Sequence, residues 1–474
     1  MTGCAGHPYI PAVSVVVLNF NGRDYLPACL KSLINTEYPE DKIDITVVDN
    51  ASSDGSVELV RQDFPEVNVL SSGANLGFAV GNNIGIRKAA GEFVALINPD
   101  TEVTPGWLGP LVETMKSSSN IVAVCPKLLL YEDRLAIHLH SATFVPEELG
   151  LGRDNRALGL RVYSVRSSTK EGEVFEVEFR RGFGGVEVDE GGREFRWTNG
   201  IGEIGIFGRG EGTVLIELSA SRPDLSTVPF AVDLVGEKVG EGVASSDLIT
   251  VPVQLPGSVW ASARPVVQNA GSELLPDGSS RDRGTLMTGG SPYADWDGKQ
   301  YEVPIDVFSL CGAGVLLRRG PLLEIGGLDE KIFMYYEDTD LAYRLRRRGW
   351  GIRFEPDSII RHHHAALANE WSPFFLEQVT RNRLYVLLKH RSYPMFGRAV
   401  MYELKNTSCL VLGLTRGFLL ARDRVRPTLS QLIPRLRALV WVLWMIPSLL
   451  VARNQENQTA VLQDRDLAEW VVDP

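Results

Sequence analysis

Phe93-Val94-Ala95-Leu96-Ile97-Asn98-Pro99-Asp100-Thr101 decides how this chain folds. Five apolar residues run straight into Asn98-Pro99-Asp100, with Gly91 ahead of them. An apolar run of that length between breakers predicts a strand buried on both faces, as in a parallel sheet. Ligands of open α/β sheets bind off the carboxyl ends of such strands. A carboxylate there can hold a divalent cation against a diphosphate, because Mg²⁺ accepts one or two protein carboxylates plus phosphate oxygens. Asn-Pro and Pro-Asp are also ordinary turn signals, so the nine residues alone fit either a turn or a metal corner.

The same pattern repeats on the N-terminal side. Val13–Leu18 and Ile43–Val48 are apolar runs ending in Asn19 and in Asp49-Asn50, and Val67–Leu70 is a third. Helical stripes separate them: Tyr25–Asn35, Val57–Asp63, and a small-residue helix carrying Gly81, Gly85 and Ala89. Strand and helix alternating at short spacing predict a mainly parallel sheet with helices on both faces. Polar residues gather where the strands end: Asn19, Asp49, Asn50, Asn98 and Asp100.

These stretches, VSVVVLNFNGRDYLPACLKSL, VVDNASSDGS and NLGFAVGNNIGIRKAAGEFVALINPDTEVTPGWL, resemble the nucleotide-sugar half of a family 2 inverting glycosyltransferase of GT-A fold, nearest the rhamnosyltransferase-like enzymes of bacterial polysaccharide assembly. The resemblance implies that Asp49 recognises the nucleoside base and that Asn75–Asn82, including Gly77, lies near ribose and diphosphate. It gives Asp100 the metal, Mg²⁺ or Mn²⁺, with Asn98 as a polar neighbour where other members carry Asp.

The pattern changes after Leu130. Residues 131–265 show short alternating stretches, among them Leu160–Val165, Val214–Leu218 and Phe230–Leu234, between glycine-rich turns, which predicts an inserted β-sandwich. FRWTNG and SATFVPEELGLGRDNRALGLRV resemble small β-sandwich modules found beside bacterial glycosyltransferases, in reversed order, as a circular permutation would give. Trp197 is either a core residue or a sugar-stacking face.

Residues 266–400 resume the enzyme-like pattern as an acceptor and catalytic part. Glu337-Asp338-Thr339-Asp340 precedes a helix over Leu341–Arg348, where carboxylates also suit the positive helix end. The resemblance makes Asp338 the general base, with Glu337 and Asp340 beside it. Inverting transfer needs a carboxylate to take the acceptor hydroxyl's proton. Three histidines follow the Gly349–Pro356 strand. Adjacent residues of an extended segment alternate faces, so His362, His363 and His364 cannot all meet one ion; the family match favours His362 as metal ligand. Arg381-Asn382-Arg383 matches the family's R-N-R element, and Arg381 and Arg383 are expected to neutralise the leaving diphosphate.

Residues 401–474 form C-terminal helices and a polar tail. Ala438–Ala452 carries no charge but falls short of the ~20 residues of a spanning helix, and Pro447 is expected to interrupt it. Arginines 422, 424, 426, 435 and 437 flank it, which suits an interfacial helix on the inner face of the plasma membrane, a helix packed on the core, or a homo-oligomer contact. The tail from Asn454 is expected to be loosely ordered.

The totals agree with this division. A chain of 474 residues implies roughly two to four domains. The net charge of -11 argues against a nucleic-acid binder, and five scattered cysteines without a CxxC suit a reducing cytoplasm. Residues 1–12 lack a signal-peptide pattern. The expected function is metal-dependent inverting transfer of a sugar, with rhamnose as candidate, from a dTDP- or UDP-linked donor to a glycan or lipid-linked acceptor. The competing readings are an inactive glycan-binding scaffold and a glycoside hydrolase, which also uses paired carboxylates.

Overall fold

The computed structural model describes residues 9–169, 172, 174–222, 227–363, 372–420 and 425–472, with side chains described outside 413–428. The chain divides into two compact units. The first comprises Met1–Leu129, Asn269–Arg283 and Gly298–Pro474; the second comprises Leu130–Gln268 and Gly284–Asp297. The sequence reading kept that last stretch with residues 266–400.

In the first unit, β1 (Val13–Asn19), β2 (Ile43–Asp49), β3 (Asn68–Ser71) and β4 (Phe93–Ile97) form a parallel sheet in the order β3-β2-β1-β4. The helices α1 (Leu26–Ile34), α2 (Ser56–Asp63) and α3 (Gly77–Lys88) connect them. Alternation along β1 explains the layering. Val13, Val15 and Val17 join Leu26, Cys29, Leu30 and Leu33 of α1 in one apolar cluster. Val16 and Leu18 point the other way, onto α3. There a Cβ added at Gly85 would stand 2.3 Å from Val16 Cγ1, and one at Gly81 would stand 2.4 Å from Leu18 Cδ1. The glycines of α3 therefore let the helix lie directly on the sheet.

Beyond β4 the sheet turns antiparallel. The strand Gly314–Arg318 pairs with β4 on one side and with β6 (Ile121–Leu130) on the other. The short β5 (Thr101–Val103), followed by α4 (Leu108–Ser117), pairs with the strand Gly351–His362. The expected Gly349–Pro356 strand thus runs on as one strand to His362, the first of the three histidines. This mixed sheet with flanking helices is a GT-A fold, as the sequence pattern implied. After α5 (Arg319–Glu324) and α6 (Glu337–Arg347) come α7 (Pro373–His390), α8 (Tyr393–Leu420) and α9 (Val425–Thr459).

Two expectations for the C-terminus do not hold. Pro447 does not interrupt α9, which runs through both Pro434 and Pro447. One face, with Ala438, Val442, Met445 and Leu449 buried, packs on the unit and offsets the lost N–H bonds. The tail is not loose either. Arg391 pairs with Asp464 at 2.7 Å, the Arg346 guanidinium lies 3.9 Å over the Trp470 ring, and the Val472 N–H donates to the Leu274 carbonyl at 2.9 Å. Among the described residues, Leu429–Thr459 is long and apolar enough to cross a membrane, with a mean hydropathy of 1.6. Arg422 and Arg424 lie outside the described residues.

The second unit holds two five-stranded sheets. One is built around Arg161–Thr169 and Gly212–Ser219, the other around Leu135–Ser141 and Ile201–Phe207. Their inward residues, such as Leu139, Val162, Ile204 and Ile216, share one apolar cluster. Trp197 is buried with Phe144, Leu158 and Phe195. It meets Phe144 edge-on at 6.2 Å, so the two quoted module segments pack on one another.

Candidate active site

β1 and β2 end in register, Asn19 opposite Asp49. The Asn19 amide donates to Asp49 Oδ1 at 3.3 Å and to Ser56 Oγ at 2.9 Å, both buried, and to the half-buried Ser52 Oγ at 3.0 Å. Asp49 also accepts the Ser52 N–H at 3.2 Å. Left-handed backbone at Asn21 and Ala51 turns the chain sharply beyond each strand. Asn50 organises the neighbouring loop. Its amide donates to Asn75 Oδ1 at 3.0 Å and to the Gly77 carbonyl at 3.1 Å, and its own Oδ1 accepts the Leu76 N–H. Asn82 donates back to the Phe78 carbonyl one turn earlier in α3.

Close contacts join this loop and the end of β4 to later parts of the chain. The Phe78 N–H donates to the Phe333 carbonyl at 2.6 Å. Gly77 takes a positive φ of 81°, and a Cβ there would stand 2.4 Å from that same carbonyl. The Asn98 N–H donates to the Ala313 carbonyl at 3.0 Å. Gly312, one residue earlier, faces Phe78 and Glu337, where a Cβ would meet Phe78 at 3.1 Å. The Gly-rich turn before Gly314–Arg318 is therefore a junction of three loops.

The register of β5 sets His362 opposite Thr101, and thereby beside Asp100. His362 Nε2 lies 3.2 Å from Asp100 Oδ1, and both residues are buried. Burial pushes the Asp100 carboxyl up, but the hydrogen bond and charge of His362 pull it, on balance, below its ordinary value. Adjacent ligands of a small divalent cation with ~2.1 Å bonds lie about 3 Å apart, so this carboxylate–imidazole pair fits two neighbouring positions of such an ion. Among the described residues no group of three or more His, Cys, Asp and Glu side chains converges. His363 points to the other face, its ring tilted against Tyr25 at 5.0 Å and 3.9 Å from Glu102. His364 lies outside the described residues.

Glu337 and Asp338 open α6 after two left-handed residues, Tyr335 and Tyr336. Burial and the Asp338 charge raise the Glu337 carboxyl to about 8, and among the described residues its Oε2 has no hydrogen-bond partner. Burial and the nearby Asp282 raise Asp338 to about 6, while the Thr339 N–H at 2.6 Å and the Gly312 N–H oppose the rise. Asp340 belongs elsewhere. It is fully buried between Arg344, Lys389 and His390, each within 2.8 Å, and ties α6 to α7.

The R-N-R element divides its labour. The Arg381 guanidinium lies 4.4 Å over the Trp441 ring and bonds Asn382. Arg383 pairs with Asp277 at 2.7 Å and lies 3.8 Å from Glu403. Asn382, passed over in the sequence, donates to the Met334 and Tyr335 carbonyls at 2.8 and 2.9 Å and holds the strained loop ahead of Glu337. Asp282, with Asn269 and Ser272 bonded to it at 2.8 and 3.2 Å, was also unforeseen. Its only signal was a polar Arg-Asp-Arg-Gly turn.

Comparison with known proteins follows the same division. The profile described as Glycosyl transferase family 2 matches residues 14–166, and that described as Glycosyltransferase like family 2 matches 297–385. Glycosyltransferase AglE of Haloferax volcanii is 29% identical over 112 residues, 23% of this chain and 37% of that protein. An N-acetylglucosaminyl-diphospho-decaprenol L-rhamnosyltransferase of Mycobacterium tuberculosis is 43% identical over 56 residues, 12% of this chain and 18% of its own. The matched segments thus span a minor part of these relatives, 37% at AglE. Among solved structures, TarS of S. aureus with UDP is 22% identical over 25% of this chain and 35% of its own, at a TM-score of 0.24. The mannosyltransferase PcManGT of Pyrobaculum calidifontis, in complex with GDP-Man and Mn²⁺, is 12% identical over 92% and 88%, at 0.40. Neither score adds to the topology read from the strands. The strand order is that of a GT-A fold, and residues 14–166 and 297–385 are similar to glycosyltransferase family 2 sequences.

Proposed function

We propose that the chain transfers a sugar from a nucleotide diphosphate to an acceptor hydroxyl, with inversion at the anomeric carbon. The observation that carries this reading is the pairing of two chemistries on one framework. A carboxylate–imidazole pair stands just beyond the end of β4, and a carboxylate raised to about 6 at the start of α6 accepts the Gly312 N–H, whose neighbour Ala313 accepts the Asn98 N–H at that same strand end. Asp338 takes the proton of the acceptor hydroxyl as its oxygen bonds the anomeric carbon and the bond to the diphosphate breaks. Asp49, at the pocket beside Asn19, receives the nucleoside base. Asn50 holds Asn75 and Gly77 where ribose and diphosphate pass. Asn98 and Asn82 line the same path. Asp100 and His362 hold Mg²⁺ or Mn²⁺, which neutralises charge on the leaving diphosphate when bound. Arg381 and Arg383, expected on the diphosphate, are engaged by Trp441 and Asp277, so their part in charge neutralisation requires those contacts to open.

The mycobacterial relative is named for adding L-rhamnose to a decaprenol-linked diphosphosugar. Its short match favours a dTDP-linked deoxysugar donor and a lipid-linked glycan acceptor in polysaccharide assembly. The exposed apolar side chains of α9, with Val440, Leu443 and Trp444 each at least 66% exposed, favour seating on the cytoplasmic membrane surface. The second unit serves as an accessory glycan-facing domain in this reading.

Titration of purified protein with dTDP and UDP, with and without millimolar Mn²⁺, tests it. Metal-dependent binding of either nucleotide is expected; binding of neither ends the transferase reading. Asp338→Asn is expected to abolish transfer with nucleotide binding intact, and surviving transfer removes Asp338 as base.

A further inference from the structure

Phe78 touches both stretches of chain that lead to the candidate base. Its ring faces Gly312, where a Cβ would stand 3.1 Å from Phe78 Cζ, 3.2 Å from Cε1 and 3.7 Å from Glu337 Oε1. The ring and the Glu337 carboxyl therefore flank the same glycine, whose N–H bonds Asp338. The Phe78 N–H donates to the Phe333 carbonyl at 2.6 Å, four residues ahead of Glu337.

The segment around Phe333 is an irregular loop between α5 and α6, held by contacts on both edges. On the α3 side, Asn83 donates to the Leu328 carbonyl at 2.8 Å and accepts the Leu328 N–H at 2.9 Å, both bonds buried. On the α7 side, Lys389 pairs with Asp329 at 2.6 Å, and Asn382 holds the Met334 and Tyr335 carbonyls. A loop without a ladder keeps its shape only through such bonds. Phe78 grips it between these fastenings, just before the left-handed Tyr335 and Tyr336 deliver the chain into α6. Phe78 is itself only half-buried, so core packing gives a weak reason for a large ring at this place.

We propose that Phe78 is a positioning residue for the base, holding the Gly312 turn and the loop before Glu337 so that Asp338 meets the acceptor hydroxyl. The assignment rests on the transferase reading above. Phe78 meets no reacting atom in this role and acts through Gly312 and Phe333. It directly follows Gly77, whose carbonyl is held by Asn50, so one turn of chain sets the donor loop and the base together.

The test uses the full-length protein and reads nucleoside diphosphate release from dTDP-L-rhamnose and from UDP-glucose, with a lipid extract of the source cells as acceptor. Phe78→Ala is expected to lower kcat ~10- to 100-fold, because a misplacement near 1 Å costs that much. The nucleotide dissociation constant is expected to stay within about twofold, and Phe78→Met, which reaches the same space, to keep kcat within about threefold of native. Gly312→Ala, which presses a methyl on the ring, is expected to lower kcat as well. Combined with Phe78→Ala it is expected to add almost nothing, because the ring it would displace is gone. If Phe78→Ala does not fold in urea melts, Phe78→Leu takes its place in the same cycle. Additive losses in the double variant, or kcat unchanged in the Phe78 variant, overturn the positioning role alone. A loss of nucleotide affinity in place of kcat makes Phe78 a donor-site residue and overturns it too. A native chain that releases no nucleoside diphosphate overturns the transferase reading and this assignment with it.

Discussion

Glu337 should make the first unit less stable as pH rises, and Glu337→Gln should remove that loss. The residue is 6% exposed, its Oε2 has no partner among the described residues, and burial with the Asp338 charge raises the carboxyl to about 8 from an ordinary value near 4.5. Its folded-state value therefore lies above its unfolded one. Its favourable contribution is complete below about 4.5 and is lost progressively until about 8. The slope is ~1.4 kcal/mol per pH unit, so the loss at pH 7 comes to roughly 3 kcal/mol. Glutamine keeps the shape and stays neutral. Urea unfolding followed at 222 nm isolates the effect, because every α-helix among the described residues lies in the first unit. The stability of Glu337→Gln relative to the native chain should increase by several kcal/mol, on the order of 1 kcal/mol per pH unit, between pH 5 and pH 8. Distant titrating groups cancel in that difference, and the part that remains belongs to Glu337 together with Asp338, whose charge it feels. Parallel pH–stability curves for the two proteins would refute the reasoning.

Three further outcomes are expected. Transfer should fall about tenfold per pH unit below about 6, because a general base works only when ionised and Asp338 is raised to about 6; a flat rate between pH 4.5 and 6 contradicts this. Asn382→Ala should cost about 2 kcal/mol, since it leaves two carbonyls without their donor. It should also lower kcat with nucleotide affinity little changed, and unaltered kcat with lost stability would make Asn382 structural only. Gly81→Ala should destabilise by about 1–3 kcal/mol, because the new methyl stands 2.4 Å from Leu18 Cδ1; denaturant melts of the two proteins decide it.

The fold was legible wherever local pattern and burial coincide. The apolar runs of β1 and β4 are buried along their whole length, and Gly81 and Gly85 mark the helix that lies against them. Strand ends were equally readable, so Asn19, Asp49, Asn50 and Asp100 could be picked out as polar residues at one sheet edge. What was not legible depends on contacts distant in sequence. Asn382 grips a loop 48 residues away, and no spacing rule announces it. Asp340 looked like a neighbour of Asp338, yet successive positions on a helix face different directions, and it turned toward Lys389 and His390. The continuity of α9 was missed because proline's local cost was weighed without the packing of Ala438, Val442 and Leu449 that offsets it.

The Asp100–His362 pair also has a timetable. Asp100 and His362 are 262 residues apart. At ~5–20 residues per second of synthesis, His362 is made roughly 13–50 s after Asp100. The strand Gly314–Arg318, which covers the open edge of β4, is also late. For that interval the nascent chain carries an apolar strand edge with no neighbour, a template for pairing with other chains. Residues 130–268 are made during the wait. Efficient production of this protein should therefore depend on chaperones that shield β4 until its last partners arrive, and slowing translation between residues 130 and 314 should lower its yield.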